Sequence, residues 1–103
     1  MEQYVYPNNF KVGAYGTAHV PVICNVNKST KSISFHSYGQ YTVSLNNGMS
    51  ISMKSRTCKK SGSDLKLSCT FIGTNLNSHE TSGNINCSST ITYAKIAKYY
   101  GWS

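Results

Sequence analysis

The sequence predicts an all-β protein: a small disulfide-bonded antiparallel β sandwich or barrel with a short C-terminal helical turn. Three observations carry this expectation. Apolar and polar residues alternate with a period of two, most clearly over Tyr41 to Met53 and Leu65 to Phe71. Four cysteines stand in 103 residues, and an even number in so short a chain points to a disulfide framework. The alternation gives way to a helical period only near the C-terminus. The length suits one domain, residues 1–103, with a modest core.

In chain order, Tyr4-Val5-Tyr6 is a short β-prone piece stopped by Pro7-Asn8-Asn9. Phe10-Lys11-Val12 restarts it, and Gly13-Ala14-Tyr15-Gly16 turns it. His19 to Cys24 is the next extended segment. Pro21 cannot donate to a ladder, which places that strand at an edge or a bulge. An exposed edge from Val20 to Cys24 would be open to pairing with a second chain. Asn25 to Lys31 reads as loop, and Ser32 to His36 alternates again.

The clearest expectation is a hairpin over Tyr41-Thr42-Val43-Ser44-Leu45-Asn46-Asn47-Gly48-Met49-Ser50-Ile51-Ser52-Met53. A two-residue Asn47-Gly48 turn would set Leu45 against Ser50 and mismatch every pair. A three-residue Asn46-Asn47-Gly48 loop, with Gly48 at positive φ, sets Leu45 against Met49, Val43 against Ile51 and Tyr41 against Met53. A second hairpin follows. Lys59 to Asp64 is its turn, and Leu65, Leu67, Cys69 and Phe71 alternate with polar residues. Gly73 to Asn86 has no period and reads as a long surface loop. Tyr93, Ile96, Ala97 and Tyr100 then share one face of a short helix. Thr90 or Thr92 would cap it, Gly101 would end it, and Lys95 and Lys98 would point outward.

The second hairpin brings Cys58 and Cys69 to facing strands, so a Cys58–Cys69 bond is expected, leaving Cys24 to pair with Cys87. The latter closes a long loop, which constrains the unfolded chain more. No close C-x-x-C pair is present, so neither a metal site nor a cofactor is expected. Disulfides imply a secreted or periplasmic home. The sequence opens without a basic-then-apolar leader, so the leader would have been trimmed. No apolar run is long enough to span a membrane.

The net charge of +7 comes from ten Lys and Arg against three acids. Such a field favours anionic partners, although scattered lysines also serve solubility alone. Lys54, Arg56, Lys59, Lys60 and Lys66 could line a phosphate-binding strip, but an extracellular protein rarely has that task, so nucleic acid is disfavoured. The histidines are His19, His36 and His79, and the acids are Glu2, Asp64 and Glu80. An RNase-like use of His and Glu, with Arg56 or a lysine on phosphate, is conceivable. No local motif supports it, so the chain reads as non-enzymatic. Eight Tyr and one Trp exceed what the core needs. Such rings offer a flat apolar face with a polar handle, suited to the C–H side of a sugar. The candidate ligand-binding residues are Asn46, Asn47, Lys54, Arg56, Tyr99 and Trp102, with Trp102 as an exposed ring near the chain end. Asn27-Lys28-Ser29 and Asn86-Cys87-Ser88 are glycosylation sequons.

A faint internal echo pairs His19–Asn25 with Asp64–Thr70, Ser32–Phe35 with Thr90–Tyr93, and Asn46-Asn47-Gly48 with Tyr99-Tyr100-Gly101. In this order the pieces Ser32-Ile33-Ser34-Phe35, Leu45-Asn46-Asn47-Gly48, Ser55-Arg56-Thr57-Cys58, Asp64-Leu65-Lys66-Leu67-Ser68-Cys69, Ser89-Thr90-Ile91-Thr92-Tyr93 and Ile96-Ala97-Lys98-Tyr99-Tyr100-Gly101-Trp102 resemble cyanovirin-type lectins. That resemblance implies two elongated β lobes and binding of mannose-rich glycans. The first repeat lacks its opening Cys, Cys87 is extra, and the acidic residue before the turn glycine is missing. Val20-Pro21-Val22-Ile23-Cys24, Tyr41 to Gly48 and Arg56-Thr57 are also similar to the spore-coat-U and archaic pilus subunit pattern. The resulting expectation is a lectin- or adhesin-like protein that contacts a glycan or cell-surface component, anionic ones included. The alternative is a small basic secreted effector: an antimicrobial or toxin-like protein, or an inhibitor of an acidic envelope enzyme.

Overall fold

The computed structural model describes residues 2–102. Its strands are β1 (Glu2–Tyr6), β2 (Asn9–Val12), β3 (Gly16–His19), β4 (Val22–Asn27), β5 (Ser32–Tyr38), β6 (Thr42–Leu45), β7 (Met49–Ser61), β8 (Asp64–Asn75) and β9 (Ile85–Ile91), followed by helix α1 (Tyr93–Tyr100). They form three antiparallel sheets with strand orders β1-β4-β5, β2-β3-β6 and β7-β8-β9. The all-β expectation with a short C-terminal helix therefore holds.

The long β7–β8 hairpin organises the rest. It runs from Met49↔Asn75 to Ser61↔Asp64. It closes through Gly62-Ser63, with Gly62 at φ 62, the positive-φ first position that a tight II′-type turn requires. Its inward face meets both other sheets. Near its open end, Phe71 packs against Phe10 of β2, and Tyr15 lies over Gly73, where a Cβ would collide with the Tyr15 ring. Further along, Arg56 lies 4.0 Å over the Tyr38 ring of β5, and the Lys60 ammonium donates to the Ile33 carbonyl. One core cluster, from Phe10 to Ile96, results. The molecule is elongated: its radius of gyration is 15.4 Å, against about 13 Å for a compact chain of this length.

Of the three chain crossings that join the β2-β3-β6 sheet to the β1-β4-β5 sheet, two lie side by side, at Pro7-Asn8 and at Val20-Pro21. Asn8, 4 % exposed, ties them together. Its amide donates to the Val20 and Tyr6 carbonyls, and its Oδ1 accepts from Ser89 of β9. A buried amide costs free energy unless its bonds are made, and these bonds make them.

Several expectations are corrected. The Tyr41–Met53 hairpin does not form. Its loop does: Met49 N–H donates to Asn46 O at 3.1 Å, and Gly48 takes φ 76. The two flanks then diverge, β6 pairing with β3 and β7 with β8. The local hairpin would have been short, whereas β8 offers β7 a ladder along its whole length. Leu45, expected to face Met49, is 48 % exposed. The edge expected at Val20–Cys24 is absent, because β4 is the central strand between β1 and β5. Pro21 instead marks the sheet crossing, and a register shift falls at Ile23/Cys24. The loop expected over Gly73–Asn86 is shorter: β8 reaches Asn75 and β9 starts at Ile85. The internal echo is not a structural repeat, since Asn46-Asn47-Gly48 links two strands while Tyr99-Tyr100-Gly101 ends a helix.

The cysteines are also rearranged. All four are free thiols, and the expected Cys58–Cys69 and Cys24–Cys87 bonds are not formed. Cys58 faces Leu67, and Cys69 faces Arg56 on one side and Cys87 on the other. Cys58 and Cys69 are thus diagonal neighbours. Such neighbours stand roughly 7–8 Å apart, beyond the ~3.5–4.5 Å Cβ separation a disulfide needs. The hairpin forms, but its turn is tighter than its composition suggests, with Ser61 facing Asp64, and this shifts the register.

Candidate functional site

Helix α1 forms as its sequence requires. Thr92 caps the start, its hydroxyl accepting from Lys95 N–H at 3.0 Å. Gly101, at φ 73, ends it with N–H bonds to Ala97 and Lys98, and Trp102 N–H returns to Ala97 O at 2.8 Å. Only Ile96 is fully buried. Eight residues make a marginal helix alone, so tertiary contacts must hold it, and aromatic rings supply them. Tyr4 of β1 meets Trp102 edge-on at 4.6 Å and Tyr100 at 5.1 Å, and Tyr100 stacks on Trp102 at 5.6 Å. Tyr6 meets Tyr99 at 6.0 Å, and the Tyr100 hydroxyl donates to the Val5 carbonyl. The Lys28 ammonium sits 4.2 Å over the Trp102 ring.

This docking leaves two clefts, each of about 470 Å³, which share Lys98. One is lined by Lys31, Tyr93, Ala94, Ala97, Lys98 and Trp102. The other is lined by Tyr6, Lys95, Lys98 and Tyr99. Each has aromatic walls and at least two ammonium groups. Small Ala94 and Ala97 side chains open the first. Such a surface can stack a flat apolar ligand face while an ammonium takes a carboxylate, sulfate or phosphate.

Of the residues predicted from sequence, Tyr99 and Trp102 come together here. Tyr99 is 57 % exposed. Trp102 is half-buried as the clamp of α1 rather than exposed as expected. Asn46 and Asn47 lie at the other end of the β7–β8 hairpin, which opens beside Gly48, whereas Leu65 near its closed end pairs with Ile91, the lead-in to α1. Ten residues of β8 separate those points, roughly 30 Å of extended chain. Asn46 holds the corner, its amide donating to Ala14 O at 2.8 Å. Lys54 is the extra residue of a bulge between Met53 and Ser55, is exposed, and reaches Asn84 Oδ1 at 3.3 Å. The same bulge turns Arg56 inward onto Tyr38, with Nη1 buried and unpaired. The six candidates therefore do not form one site. The sequence reading missed Tyr4, Tyr6, Lys31, Tyr93 and Lys98. Tyr4 and Tyr6 share one face of a strand, and Lys98 lies one turn beyond Ala94 and Lys95; that spacing was the available signal.

A second constellation lies on the outer face of the β2-β3-β6 sheet. His19 Nε2 is 2.9 Å from Ser44 Oγ, and its Nδ1 is 2.7 Å from Asn9 Oδ1. These are the residue types and spacings of a nucleophile, base and orienting group. The relay lies on an open sheet face, which gives a reacting acyl group no walls and no exclusion of water. Its structural effect is to tie three neighbouring strands together. Among the described residues, no group of three or more His, Cys, Asp or Glu is placed to hold a metal ion, and no helix is long and apolar enough to cross a membrane.

No protein-family model, curated protein or solved structure matches the chain.

Proposed function

We propose that this chain is a secreted or periplasmic, non-enzymatic binding protein that takes an acidic glycan in the clefts beside α1. The observation that carries the reading is the sharing of Lys98 by two aromatic-walled clefts. Stacking on Tyr99 and Tyr93 orients a sugar ring beside Trp102, and Lys31, Lys95 and Lys98 receive its carboxylate or sulfate. The net charge of +7 draws such a polymer in.

Trp102 is the single tryptophan, so intrinsic fluorescence reports on the cleft it lines. Titration with a uronic-acid oligosaccharide is expected to give a saturable change at physiological salt. The neutral oligosaccharide of equal length should bind more weakly. Lys98→Ala should weaken the acidic ligand about fivefold, the ~1 kcal/mol that an exposed charge pair reaches. No saturable change with either oligosaccharide removes the proposal.

The second reading, a basic effector driven by charge, is favoured by Lys59 standing directly opposite Lys66 on the exposed face of β7–β8. Like charges so placed repel unless an anion sits between them. Binding that spreads over many anions and vanishes at a few hundred millimolar salt would select it, because the Debye length then falls below ~8 Å. Under both readings Ser44 is inert. A fluorophosphonate probe is expected to leave it unlabelled, and labelling lost in His19→Ala would make the chain a hydrolase.

A further inference from the structure

The registers around the four thiols sort them into two pairs. Cys69 and Cys87 are direct partners on β8 and β9, with side chains on the inward face. Directly opposed Cβ atoms in an antiparallel ladder stand roughly 4.5–5.5 Å apart, closer where the pair is not hydrogen-bonded. That is close to disulfide range, whereas the Cys58–Cys69 diagonal is not. Cys58 lies between Arg56 and Lys60 on the inward side of β7. Arg56 reaches Tyr38 of β5 and Lys60 reaches Ile33 of the same strand. Cys58 therefore faces the middle of β5, near Phe35, whose ladder partner on β4 is Cys24. Cys24 is fully buried on the same interior.

We infer that on oxidation the free Cys69 and Cys87 thiols form a disulfide across β8 and β9, and that Cys24 and Cys58 form a second one that joins the β1-β4-β5 sheet to the β7-β8-β9 sheet. The thiol environments agree with this sorting. Burial pushes the Cys69 thiol up to about 11, with Cys87 the next cause, the Arg56 guanidinium opposing and Cys58 a smaller cause than Cys87. Burial likewise pushes Cys24 up to about 11, and the neighbouring Cys58 adds to it. Cys87 is the more exposed of its pair, so it reacts first. Its thiolate attacks one sulfur of an external disulfide such as oxidised glutathione and expels one thiolate. The Cys69 thiolate then attacks the Cys87 sulfur of the mixed disulfide, forms the protein S–S bond and expels the second thiolate. Two thiol protons leave to solvent, and the external disulfide gains the two electrons that the protein gives up; a second external disulfide is consumed in the same two steps at Cys58, the more exposed of its pair, and then Cys24.

The sequence makes the test clean. The full-length protein is reduced, freed of reductant, incubated with oxidised glutathione, alkylated and digested with trypsin without reduction. No Lys or Arg lies between Leu67 and Ala94, so Cys69 and Cys87 share one peptide, Leu67–Lys95. Their bond appears as that peptide unalkylated and lighter by two hydrogens. The second bond joins Val12–Lys28 to Thr57–Lys59. The oxidised protein should also melt higher than the reduced one. Cys87→Ser should leave the Cys24–Cys58 link in place and expose Cys69 to alkylation. A link between Thr57–Lys59 and Leu67–Lys95, or four alkylated cysteines after oxidation, overturns the assignment. Cys24 and Cys58 both alkylated beside an intact Cys69–Cys87 bond overturns its inter-sheet half.

Discussion

Gly16→Ala is expected to cost about 3–5 kcal/mol. Gly16 opens β3 at φ 144, a backbone region that side chains rarely enter, and such residues cost of order 1–3 kcal/mol. The added Cβ would also fall on the Ser44 carbonyl oxygen, with the Leu45 Cα at 3.0 Å and the Asn46 nitrogen at 3.2 Å. Those are backbone atoms of β6 and its corner, and they cannot swing aside as a side chain could, so overpacking adds roughly 1–3 kcal/mol. Against a total stability of ~5–15 kcal/mol this is a large fraction. Tm should fall by about 12 °C or more, at ~4–8 °C per kcal/mol for a domain of this size. Gly62→Ala supplies the control. Gly62 also has positive φ, 62, but its Cβ would meet nothing within 4 Å. It should cost only the ~1–3 kcal/mol of a residue held at positive φ, with no clash added. Thermal melts of the two variants compare the effects. If Gly16→Ala melts no lower than Gly62→Ala, β6 does not lie against β3 as described.

That glycine shows where sequence reading stopped. Gly13 to Gly16 was legible as a turn, because glycines between two alternating runs punctuate them. The close approach of β6 was not legible, because β6 arrives from residues far along the chain. The Tyr41–Met53 stretch makes the same point. Its alternation and the positive φ of Gly48 are local properties, and both are present. Its partners are not local, and β3 and β8 win because each offers a better ladder. The second hairpin and the helix were legible because everything that defines them is local: a tight turn at Gly62, a threonine cap, and a glycine that ends the helix.

The candidate site was half legible for a related reason. Tyr99 and Trp102 were visible as surplus aromatic residues at a helix end. The strand they dock on, with Tyr4 and Tyr6, lies at the opposite end of the sequence, and only the fold brings the two termini together. Residues chosen for composition alone, Asn46, Asn47, Lys54 and Arg56, scatter along the hairpin. A single bulge after Met53 decides that Lys54 faces water while Arg56 turns inward onto Tyr38. No pattern in the sequence marks that extra residue.

Phe71→Ala is expected to be the most damaging truncation, at about 3–5 kcal/mol. Phe71 is fully buried. Its ring meets Phe10 of β2 at 6.2 Å and lies nearly parallel to Tyr41, also at 6.2 Å, while Met53 and Ile85 flank it along the ladder. The cavity left by the ring is walled by three strands and the chain entering β6, so relaxation can fill little of it. Phe71→Leu keeps most of the volume and should cost less than about 1.5 kcal/mol. Urea unfolding of the two variants measures the difference, and a Phe71→Ala loss below ~1 kcal/mol would contradict the packing. The same variant tests whether the molecule is one cooperative unit. Trp102 reports on the α1 end and far-ultraviolet circular dichroism on the strands. Arg56 on Tyr38, Lys60 on Ile33 and Asn8 bonded to Ser89 tie the layers together along the length of the hairpin. Both probes should therefore move to the same lower denaturant midpoint. If Trp102 keeps the original midpoint while the strands unfold early, the aromatic end is stable without the Phe71 centre, and the clefts beside α1 rest on a core of their own.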